Sequence, residues 1–426
     1  MDWSSIPCAG EYEVVVIGGG TAGFAAAAAA AKQKTEVLLI EEQAFLGGTA
    51  TGAMVGQFLG FTGEPEISKQ KGLLGELCRR LQRDGGTEGI RKIYLLGRED
   101  MDVLAMAYDV NVMRRVMDQM VRESGVHVLF HTKAIGIERD GERITSILIH
   151  NTAGIQRVRG KVFIDATFHG SIAAECGCPS ACGGREGEIQ PGTLMFALGG
   201  VDKKIYQSVS REENRRLAGE GVATGHLPVN TLLARPAPGT EDVMFLNMSR
   251  VPVNCLNPED YSLAEMEARE QVDRIATFYR ERVPGYQKSY IAWVAPMLGL
   301  RESRRILGQY ILTGEDVLEG KKFEDAVAYS NYPVDIHDAK GLGSRLQKPK
   351  GDCFSIPYRC LIGKVPNLLV TGRCISAEYE AHAALRVCAT CVQLGEAAGI
   401  ASVLGISSEC DVNAMDGREV KKYLFS

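Results

Sequence analysis

The feature that most constrains this fold is a strand, glycine turn, helix, strand and acid near the start of the chain. A β-branched run, EVVVI, ends at Ile17 and is followed at once by the glycine pattern GGGTAG of residues 18–23. Seven alanines follow at residues 25–31, and a second apolar run, EVLLI, leads into Glu41. The two apolar runs are typical of strands buried on both faces, and the alanines favour a helix with little side-chain bulk. The sequence therefore predicts one complete βαβ unit.

The glycine turn of this unit has the spacing of a dinucleotide-binding site. Gly18 would permit the tight turn, Gly20 would let the backbone approach a pyrophosphate, and Gly23 would let the helix pack closely on the strand. The phosphates would lie at the helix N-terminus, at Thr21 and Ala22, where N–H groups and the helix dipole favour negative charge. A glycine-rich structural turn without a ligand is the alternative.

The acid after the second strand bears on which dinucleotide could bind. Glu41 follows Gly18 by 23 positions, close to the spacing expected of a carboxylate that binds ribose hydroxyls. Glu41 and Glu42 would together repel a 2′-phosphate, so NADP is disfavoured. The motif alone does not separate FAD from NAD.

Composition narrows the class of protein. The chain has 426 residues, enough for two or three domains, and a net charge of −5 without a basic block, which argues against nucleic-acid binding. We found no apolar run of the roughly 18–20 residues that a membrane span needs. The N-terminal residues do not read as a signal peptide, and twelve cysteines then indicate reduced thiols in a cytoplasmic protein.

Later segments carry a resemblance to a known family. They read GGTAT from Gly47, DATFHG from Asp165, YPVDIH from Tyr332, IPYRCLI from Ile356 and GRCISAEYEAH from Gly372. In these motifs and their order, the chain resembles the FAD-dependent oxidoreductases of the glutathione-reductase-like flavoprotein superfamily. The resemblance covers most of the chain, from residue 14 to about residue 401.

The resemblance implies FAD as the cofactor and supplies further contacts to it. A loop at Gly48 and Thr49 would wrap the cofactor, and the backbone at Ala134 would meet the adenine. The remaining implied contacts lie at strand ends and near a late helix N-terminus: Ala166, Thr167, Gly170, Gly372, Arg373, Leu385 and Arg386.

The expected fold is α/β, with a Rossmann-like FAD-binding domain and an inserted α+β substrate domain. Residues 126–165 would form short strands, a β-meander and a returning parallel strand: 126–130, 132–139, 143–150, 155–159 and 161–165. Strand candidates at 192–199 and 290–298 and a helix at 262–282 would belong to the substrate domain. The expected divisions are 1–60, 105–185 and 346–426 for the FAD-binding domain, 186–345 for the substrate domain, and 61–104 as an insertion on the substrate side.

Two segments offer candidates for contact with the substrate. The RESRR segment places Arg301 and Arg305 where a guanidinium could bind an anionic or carbonyl group, although a solvated or salt-bridged set is as common. In YPVDIH, Asp335 and His337 would share one face of an extended segment, and a histidine oriented by an aspartate is a candidate general acid or base. A structural hydrogen bond to a loop is the alternative there.

A third segment follows the Gly372 turn. Glu380 and His382 are candidates for proton transfer or for hydrogen bonding to the flavin ring. The alternative is that they fix the loop and the start of the next helix.

Cysteines offer two further hypotheses. Cys388 and Cys391 form a C-x-x-C that resembles a redox pair, but the pair lies inside a helix-like run, so buried small side chains are favoured. Cys176, Cys178 and Cys182 are closely spaced but lack an evident fourth ligand, so we expect no metal.

The sequence thus predicts an FAD-dependent oxidoreductase acting on a small molecule, with hydride or electron transfer at flavin N5. Two alternatives stay open: a non-redox or structural flavin-binding protein, and a dithiol-linked flavin reductase using Cys388 and Cys391. The substrate, the electron donor or acceptor and the oligomeric state, with a homo-oligomer possible, are not specified by any motif.

Overall fold

The computed structural model describes residues 5–338 and 343–425. Its strands are β1 (Cys8–Ile17), β2 (Val37–Ile40), β3 (Gln57–Leu59), β4 (Arg91–Tyr94), β5 (Asp102–Ala107), β6 (His127–Leu129), β7 (Lys133–Asp140), β8 (Arg143–Asn151), β9 (Gly154–Asp165), β10 (Ser180–Ala181), β11 (Phe196–Gly199), β12 (Ala234–Pro236), β13 (Met244–Leu246), β14 (Tyr290–Val294), β15 (Arg305–Ile306), β16 (Ala326–Ser330), β17 (Val334–His337), β18 (Ser344–Gln347), β19 (Phe354–Pro357) and β20 (Leu368–Val370). Its α-helices are α1 (Thr21–Lys32), α2 (Gly72–Arg83), α3 (Val110–Glu123), α4 (Ser171–Glu175), α5 (Lys203–Ser208), α6 (Arg211–Ala223), α7 (Pro258–Arg282), α8 (Gly314–Leu318), α9 (Tyr379–Leu385), α10 (Cys388–Ser407) and α11 (Gly417–Phe425).

A seven-stranded sheet organises the first and last parts of the chain. Its order is β6-β2-β1-β9-β8-β7, and β20 pairs with β9 off this path. β1 is parallel to β2, with Val14 opposite Val37, and parallel to β9, with Val14 opposite Val162. The predicted α/β fold with a parallel sheet is therefore confirmed.

Two strands that the sequence predicts form one continuous strand in the structure. The segments 155–159 and 161–165 form the single strand β9, whose first half pairs antiparallel with β8. Its second half pairs parallel with both β1 and β20. The separation predicted at Gly160 is wrong because the backbone stays paired there, opposite Tyr12.

The alanine helix α1 packs against α10. A Cβ on Gly395 would overlap the carbonyl oxygen of Ala22, and a Cβ on Gly399 would overlap that of Ala26. Small residues on both helices let the two backbones approach closely. This close packing explains why α1 is buried along almost its whole length.

Helix α10 also bears on the question of a membrane span. Within residues 5–338 and 343–425, it is the one helix that is long and apolar enough to cross a bilayer. The expectation that no such stretch exists is thus corrected for length and composition. Most of α10 is buried inside the fold, however, and a core helix passes the same test, so the evidence for a span is weak.

A separate antiparallel sheet lies in the middle of the chain, with strand order β12-β13-β11-β14. The strands predicted at 192–199 and 290–298 are shorter than expected, since only the β11 and β14 residues stay in the ladder. The predicted helix begins earlier, at Pro258, because the Asn257 side chain caps it by accepting from the N–H groups of Glu259 and Asp260. This sheet and α7 enclose their own apolar core.

The 61–104 segment contains helix α2 and part of a three-stranded sheet, β3-β5-β4. The buried leucines of α2 lie in the main core with α1 and α10, not in the core beneath α7: Leu73, Leu74, Leu77 and Leu81. The leucine face of α2 thus packs on the FAD-binding side of the chain, and a substrate contact of the 61–104 segment stays a prediction.

Candidate functional site

The three glycines of the first turn have different surroundings. Gly18 has a φ of +98°, and a Cβ there would lie 2.7 Å from the carbonyl oxygen of Ala166. A Cβ on Gly23 would overlap the carbonyl oxygen of Gly18, whereas a Cβ on Gly20 would have no neighbour within 4 Å. Gly18 and Gly23 are thus required by packing, while Gly20 faces open space.

Two long helices begin beside this turn without side-chain caps. Gly20 is the N-cap of α1 and Val387 is the N-cap of α10, and neither helix has a side-chain hydrogen bond at its N-cap. The Gly372 turn, with φ +79°, lies against Ala22, since a Cβ on Gly372 would be 2.9 Å from the Ala22 Cβ. First-turn N–H groups of both helices are therefore available to a ligand with negative charge.

Glu41 is buried and fixed to the glycine turn. Its Oε2 accepts a hydrogen bond from the Gly19 N–H at 2.6 Å, and its Oε1 accepts from the Gln43 N–H at 2.7 Å. Burial raises the pKa of Glu41 above its ordinary value, and both backbone donors oppose that shift. Glu42, by contrast, is exposed at the surface.

The predicted wrapping loop lies on the glycine turn. The Gly47 N–H donates to the Gly19 carbonyl at 2.8 Å, and a Cβ on Gly48 would be 3.1 Å from the Gly20 Cα. Thr49 contacts the Cys388 thiol at the start of α10. This loop thus connects the N-termini of α1 and α10.

The strand end of β9 is fixed by its own aspartate. The Thr167 hydroxyl donates to Asp165 Oδ1 at 2.6 Å, and the Ala166 N–H donates to the Ile17 carbonyl. Gly170, with φ +58°, is the N-cap of α4. The backbone of this turn therefore lies next to Gly18 in a defined conformation.

Three other predicted contact residues have contrasting positions. The Arg373 guanidinium lies 3.9 Å from the Phe168 ring centroid and donates to the Leu300 carbonyl. Ala134 is half-buried on β7, and Leu385 is fully buried in the main core. Whether each of them contacts the cofactor stays a prediction.

Two arginines from distant segments converge on one hydroxyl. Arg250 Nη1 and Arg301 Nη2 each donate to Thr193 Oγ1 at 2.9 Å, and Arg301 also donates to the Pro191 carbonyl. Burial lowers the pKa of Arg250 to about 10, and the positive charge of Arg386 contributes to that shift. The guanidiniums therefore form a compact, positively charged group.

Asp335 is the carboxylate beside these arginines. Its Oδ2 accepts from the Tyr332 hydroxyl at 2.8 Å and lies 3.3 Å from His337 Nε2 and 3.5 Å from Arg386 Nη2. Burial opposes its ionisation, but the contacts with His337, Arg386 and Tyr332 outweigh burial and hold the pKa of Asp335 well below its ordinary value. Asp335 is therefore ionised at neutral pH.

His337 is held at both ring nitrogens. Nδ1 lies 2.8 Å from the Ser344 hydroxyl, and Nε2 faces Asp335. Burial and the charge of Arg301 lower the pKa of His337 to about 3, so the imidazole is neutral at pH 7.

The other sequence candidates lie elsewhere. Arg305 donates to the carbonyls of Ala377 and Gly183, at 2.9 and 2.7 Å. Glu380 is half-buried and pairs with Arg345 at 3.4 Å, while His382 Nε2 lies 2.9 Å from the Arg373 carbonyl. The structure thus brings Arg301, Asp335, His337 and Arg386 together, and leaves Arg305, Glu380 and His382 outside that group.

The family model for FAD dependent oxidoreductases matches residues 13–424. The chain belongs to this family. It is accordingly an FAD-dependent oxidoreductase, an enzyme whose cofactor is FAD.

Solved structures with a similar fold have little sequence identity to this oxidoreductase. A geranylgeranyl bacteriochlorophyll reductase-like protein from Thermoplasma acidophilum is 16% identical with a TM-score of 0.53, over 97% of this chain and 83% of that one. The p-nitrophenol 4-monooxygenase PnpA from Pseudomonas putida DLL-E4 is 12% identical with a TM-score of 0.53, over 97% and 87%. Among curated proteins, no sequence matches this chain. The structural similarity concerns the fold alone.

Sequence reasoning missed two residues of this site in the oxidoreductase, Arg250 and Gln190. Arg250 lies after β13 in a segment without a motif, and Gln190 lies before β11. Gln190 Oε1 accepts a hydrogen bond from the backbone N–H of His337 at 3.1 Å and lies 3.5 Å from Arg386 Nη2. Gln190 Nε2 is buried without a partner. No local pattern marks either residue, because only long-range packing brings them to β17.

The C-x-x-C pair of the oxidoreductase lies in the first turn of α10. Both thiols are free and buried. Burial raises the pKa of Cys391 to about 12 and also raises that of Cys388, which disfavours the thiolate that disulfide exchange needs.

The three closely spaced cysteines were the candidate metal ligands that the sequence offered. Cys176 and Cys178 are buried and Cys182 is half-buried. In residues 5–338 and 343–425, no group of three or more His, Cys, Asp or Glu side chains is arranged to hold a metal ion.

Two cavities lie in the described part of the chain, and the smaller of them adjoins the mid-chain sheet. One of about 950 Å³ reaches His337 and Tyr379, and acidic side chains lie along its wall. The other, of about 360 Å³, is lined by Phe45, Phe245, Trp293 and Arg114, among others. The first is the cavity that meets the Asp335–His337 pair.

Proposed function

We propose that this enzyme binds FAD across its first glycine turn in the manner of the glutathione-reductase-like flavoproteins, and oxidises or reduces a small molecule held beside Asp335 and His337. The observation that carries the proposal is the open space at Gly20, where a Cβ would meet nothing within 4 Å, between two uncapped helix N-termini. Pyrophosphate at such a turn is favoured by free N–H groups and by the helix dipole.

The residues around this space fit a dinucleotide. The N–H groups at Gly20, Thr21 and Ala22 would hold the pyrophosphate, Glu41 would bind ribose hydroxyls, and the Gly48–Thr49 loop would cover the cofactor. The contacts at Ala134, at 166–170, at 372–373 and, through the backbone, at 385–386 complete the proposed set. When bound, FAD supplies the hydride or electron transfer.

Proton transfer would take place at His337, oriented by Asp335, which Tyr332 in turn holds by a hydrogen bond. Asp335 fixes the imidazole by its contact at His337 Nε2, and it accepts a hydrogen bond from Tyr332. A neutral imidazole can take up a proton at one nitrogen while the other keeps its hydrogen bond, so we assign His337 the role of a general base. Asp335 is buried, while His337 is half-buried and borders the larger cavity, from which a substrate would reach the pair.

The observations on the thiols favour this proposal over a dithiol-linked reductase, because Cys388 and Cys391 are held as neutral thiols. The twelve free cysteines support a cytoplasmic location, where thiols stay reduced. The remaining alternative, a structural flavin-binding protein without turnover, is disfavoured by membership of the oxidoreductase family.

Purification provides the first test. We expect a yellow protein with the absorbance bands of oxidised flavin, and anaerobic photoreduction followed by reoxidation should show redox turnover of the bound cofactor. A colourless protein that does not bind added FAD in calorimetry would overturn the proposal. A Cys388→Ala variant that keeps full turnover would eliminate the dithiol alternative.

A substrate screen then tests the enzyme proposal against structural binding. Candidate small molecules are mixed anaerobically with the holoenzyme, and bleaching of the flavin band is recorded. His337→Gln should slow any observed bleaching while the FAD content stays that of the wild type.

A further inference from the structure

We propose that Arg250, Arg301 and Arg386, with the side-chain amide of Gln190, bind a carboxylate group of the substrate. This inference rests on the proposed function, since it assigns a substrate class to the same site. It commits to a molecule with one carboxylate, held by guanidinium and amide donors.

The buried positive charge of this arginine group favours an anion. Arg250 and Arg301 share the Thr193 hydroxyl, and Arg386 lies close enough to shift the pKa of both. In the described part of the chain, the only ion pair recorded for the three arginines is Arg386 with Asp335. The nearby buried carboxylate Glu302 already faces a fourth arginine, Arg305. Four guanidiniums against two carboxylates still leave buried positive charge, which is costly unless an anion compensates it.

Two buried donor atoms at this site have no hydrogen-bond partner. Gln190 is 1% exposed, its amide oxygen faces two donors, and its amide nitrogen has no partner. Arg386 Nε is likewise buried without a partner. Both atoms are donors, so the group that satisfies them must be an acceptor, and a carboxylate offers two acceptor oxygens in a plane that suits guanidinium.

The acidic wall of the larger cavity limits what the rest of the substrate can be. The 950 Å³ cavity reaches His337, and its wall carries four carboxylates, Glu186, Glu188, Asp260 and Asp338, against one cation, Arg345. A second carboxylate directed along this cavity would be repelled. The three arginines of the proposed site do not line this cavity themselves, and His337, which contacts Asp335, joins the two regions. We therefore infer one carboxylate among the arginines and a neutral or cationic remainder towards the cavity.

Ligand binding to the holoenzyme tests this assignment with matched probes. Propionate and benzoate are compared with propionamide and benzamide, and succinate serves as a dicarboxylate. Binding is measured by calorimetry and by perturbation of the flavin spectrum. We expect each monocarboxylate to bind at least about tenfold more tightly than its amide, as loss of a charge-assisted hydrogen bond implies. Equal binding of acid and amide, or tighter binding of succinate or inorganic phosphate than of propionate, would overturn the inference.

Variants locate the binding. Arg250→Met and Arg301→Met should each weaken carboxylate binding about 10- to 100-fold, and Arg250→Lys and Arg301→Lys should recover part of it. Arg282→Met is the charge-matched control, because Arg282 lies on α7 and pairs with Glu220 at the surface. Carboxylate affinity that falls equally in the control, or that is unchanged in both Met variants, contradicts the assignment.

Flavin absorbance separates the two levels of the argument. A yellow, redox-active protein that fails to prefer carboxylates refutes this inference and leaves the proposed function standing. A protein without flavin refutes the proposed function itself. If a Met variant loses its flavin or its cooperative thermal unfolding, the Lys variant at the same position decides the case.

Discussion

At the scale of single residues, the glycines of the first turn have two different reasons: close packing of the protein at one position and close approach of a ligand at another. Gly23 has no room for a Cβ because the Gly18 carbonyl occupies that position. Gly20 has room on the protein side, and its φ of −59° is open to any L-residue. Nothing in the fold requires glycine at position 20, and we attribute it to the proposed FAD.

A pair of alanine variants tests this distinction. Gly23→Ala should destabilise the protein by roughly 1–3 kcal/mol, because the methyl group overpacks a closed contact. Gly20→Ala should leave the stability of the FAD-free protein unchanged and weaken FAD binding. Thermal unfolding of the FAD-free proteins and FAD titration by fluorescence measure both effects. Wild-type FAD affinity in Gly20→Ala would contradict the assignment of this position.

Glu396 gives a pH-dependent prediction. Both oxygens of its carboxylate accept from the Leu73 N–H, and burial raises its pKa from 4.5 to about 7. Because the folded pKa lies above the unfolded value, its contribution to stability is complete below pH 4.5 and is lost as the pH rises through 7. Relative to the wild type, Glu396→Gln should thus gain on the order of 2–3 kcal/mol of stability across this range.

Denaturant unfolding at several pH values measures that difference. Other titrating groups are common to both proteins and cancel in the comparison. Glu270→Gln, on the exposed face of α7, is the control and should follow the wild type at every pH. A constant difference between Glu396→Gln and the wild type would show that this carboxyl does not titrate with folding.

At the scale of elements, the α1–α10 pair positions both uncapped N-termini. The alanines of α1 and the glycines of α10 bring the helices close, and the Gly372 turn contacts α1 at Ala22. The helices therefore have to keep their separation if the two N-termini are to address one ligand.

Widening that separation should affect both stability and binding. Gly395→Ala places a methyl group against the Ala22 carbonyl, so we expect a stability loss of about 1–3 kcal/mol and weaker FAD binding. Gly219→Ala in α6, where a Cβ meets nothing within 4 Å, is the matched control and should be neutral or stabilising. Chemical denaturation and FAD titration of both variants check this, and equal behaviour of the two would contradict the packing argument.

Local elements followed from the sequence more readily than their joins. The βαβ unit, the helix after Asn257 and the strands near Asp140 were all visible as periodicity, glycine placement or turn residues. The continuity of β9 through Gly160 was not, because pairing with β1 and β8 overrides the local preference of a glycine. Arg250 and Gln190 were not visible either, because they meet partners far away in the chain. Arg250 donates to Thr193, while Gln190 meets His337 on β17 and Arg386 next to α10.

At the scale of the whole molecule, the proposed FAD site is assembled, besides Ala134, from four parts of the chain, near residues 18–23, 41–49, 165–170 and 372–388. A ligand bound by all four should stabilise the folded state as a unit. At an FAD concentration 100 times Kd, the expected gain is about 2.7 kcal/mol.

Calorimetric melting of the FAD-free protein, with and without FAD, measures this gain. The unfolding temperature should rise with FAD concentration in the wild type, and the rise should be smaller in Gly20→Ala at the same concentration. AMP, which carries one phosphate and no flavin, should give a smaller rise than FAD. An unfolding temperature independent of FAD would contradict a site shared by all four parts.

The position of β20 has a consequence for biosynthesis. Residues 368–370 complete the edge of β9, whose other neighbours come from β1 and β8. A ribosome therefore releases the first glycine turn hundreds of residues before the strand and helix that finish its surroundings, and such distant pairings form slowly. Since the proposed FAD site includes residues 372–388, we expect the nascent enzyme to retain FAD only after the α10 segment has left the exit tunnel.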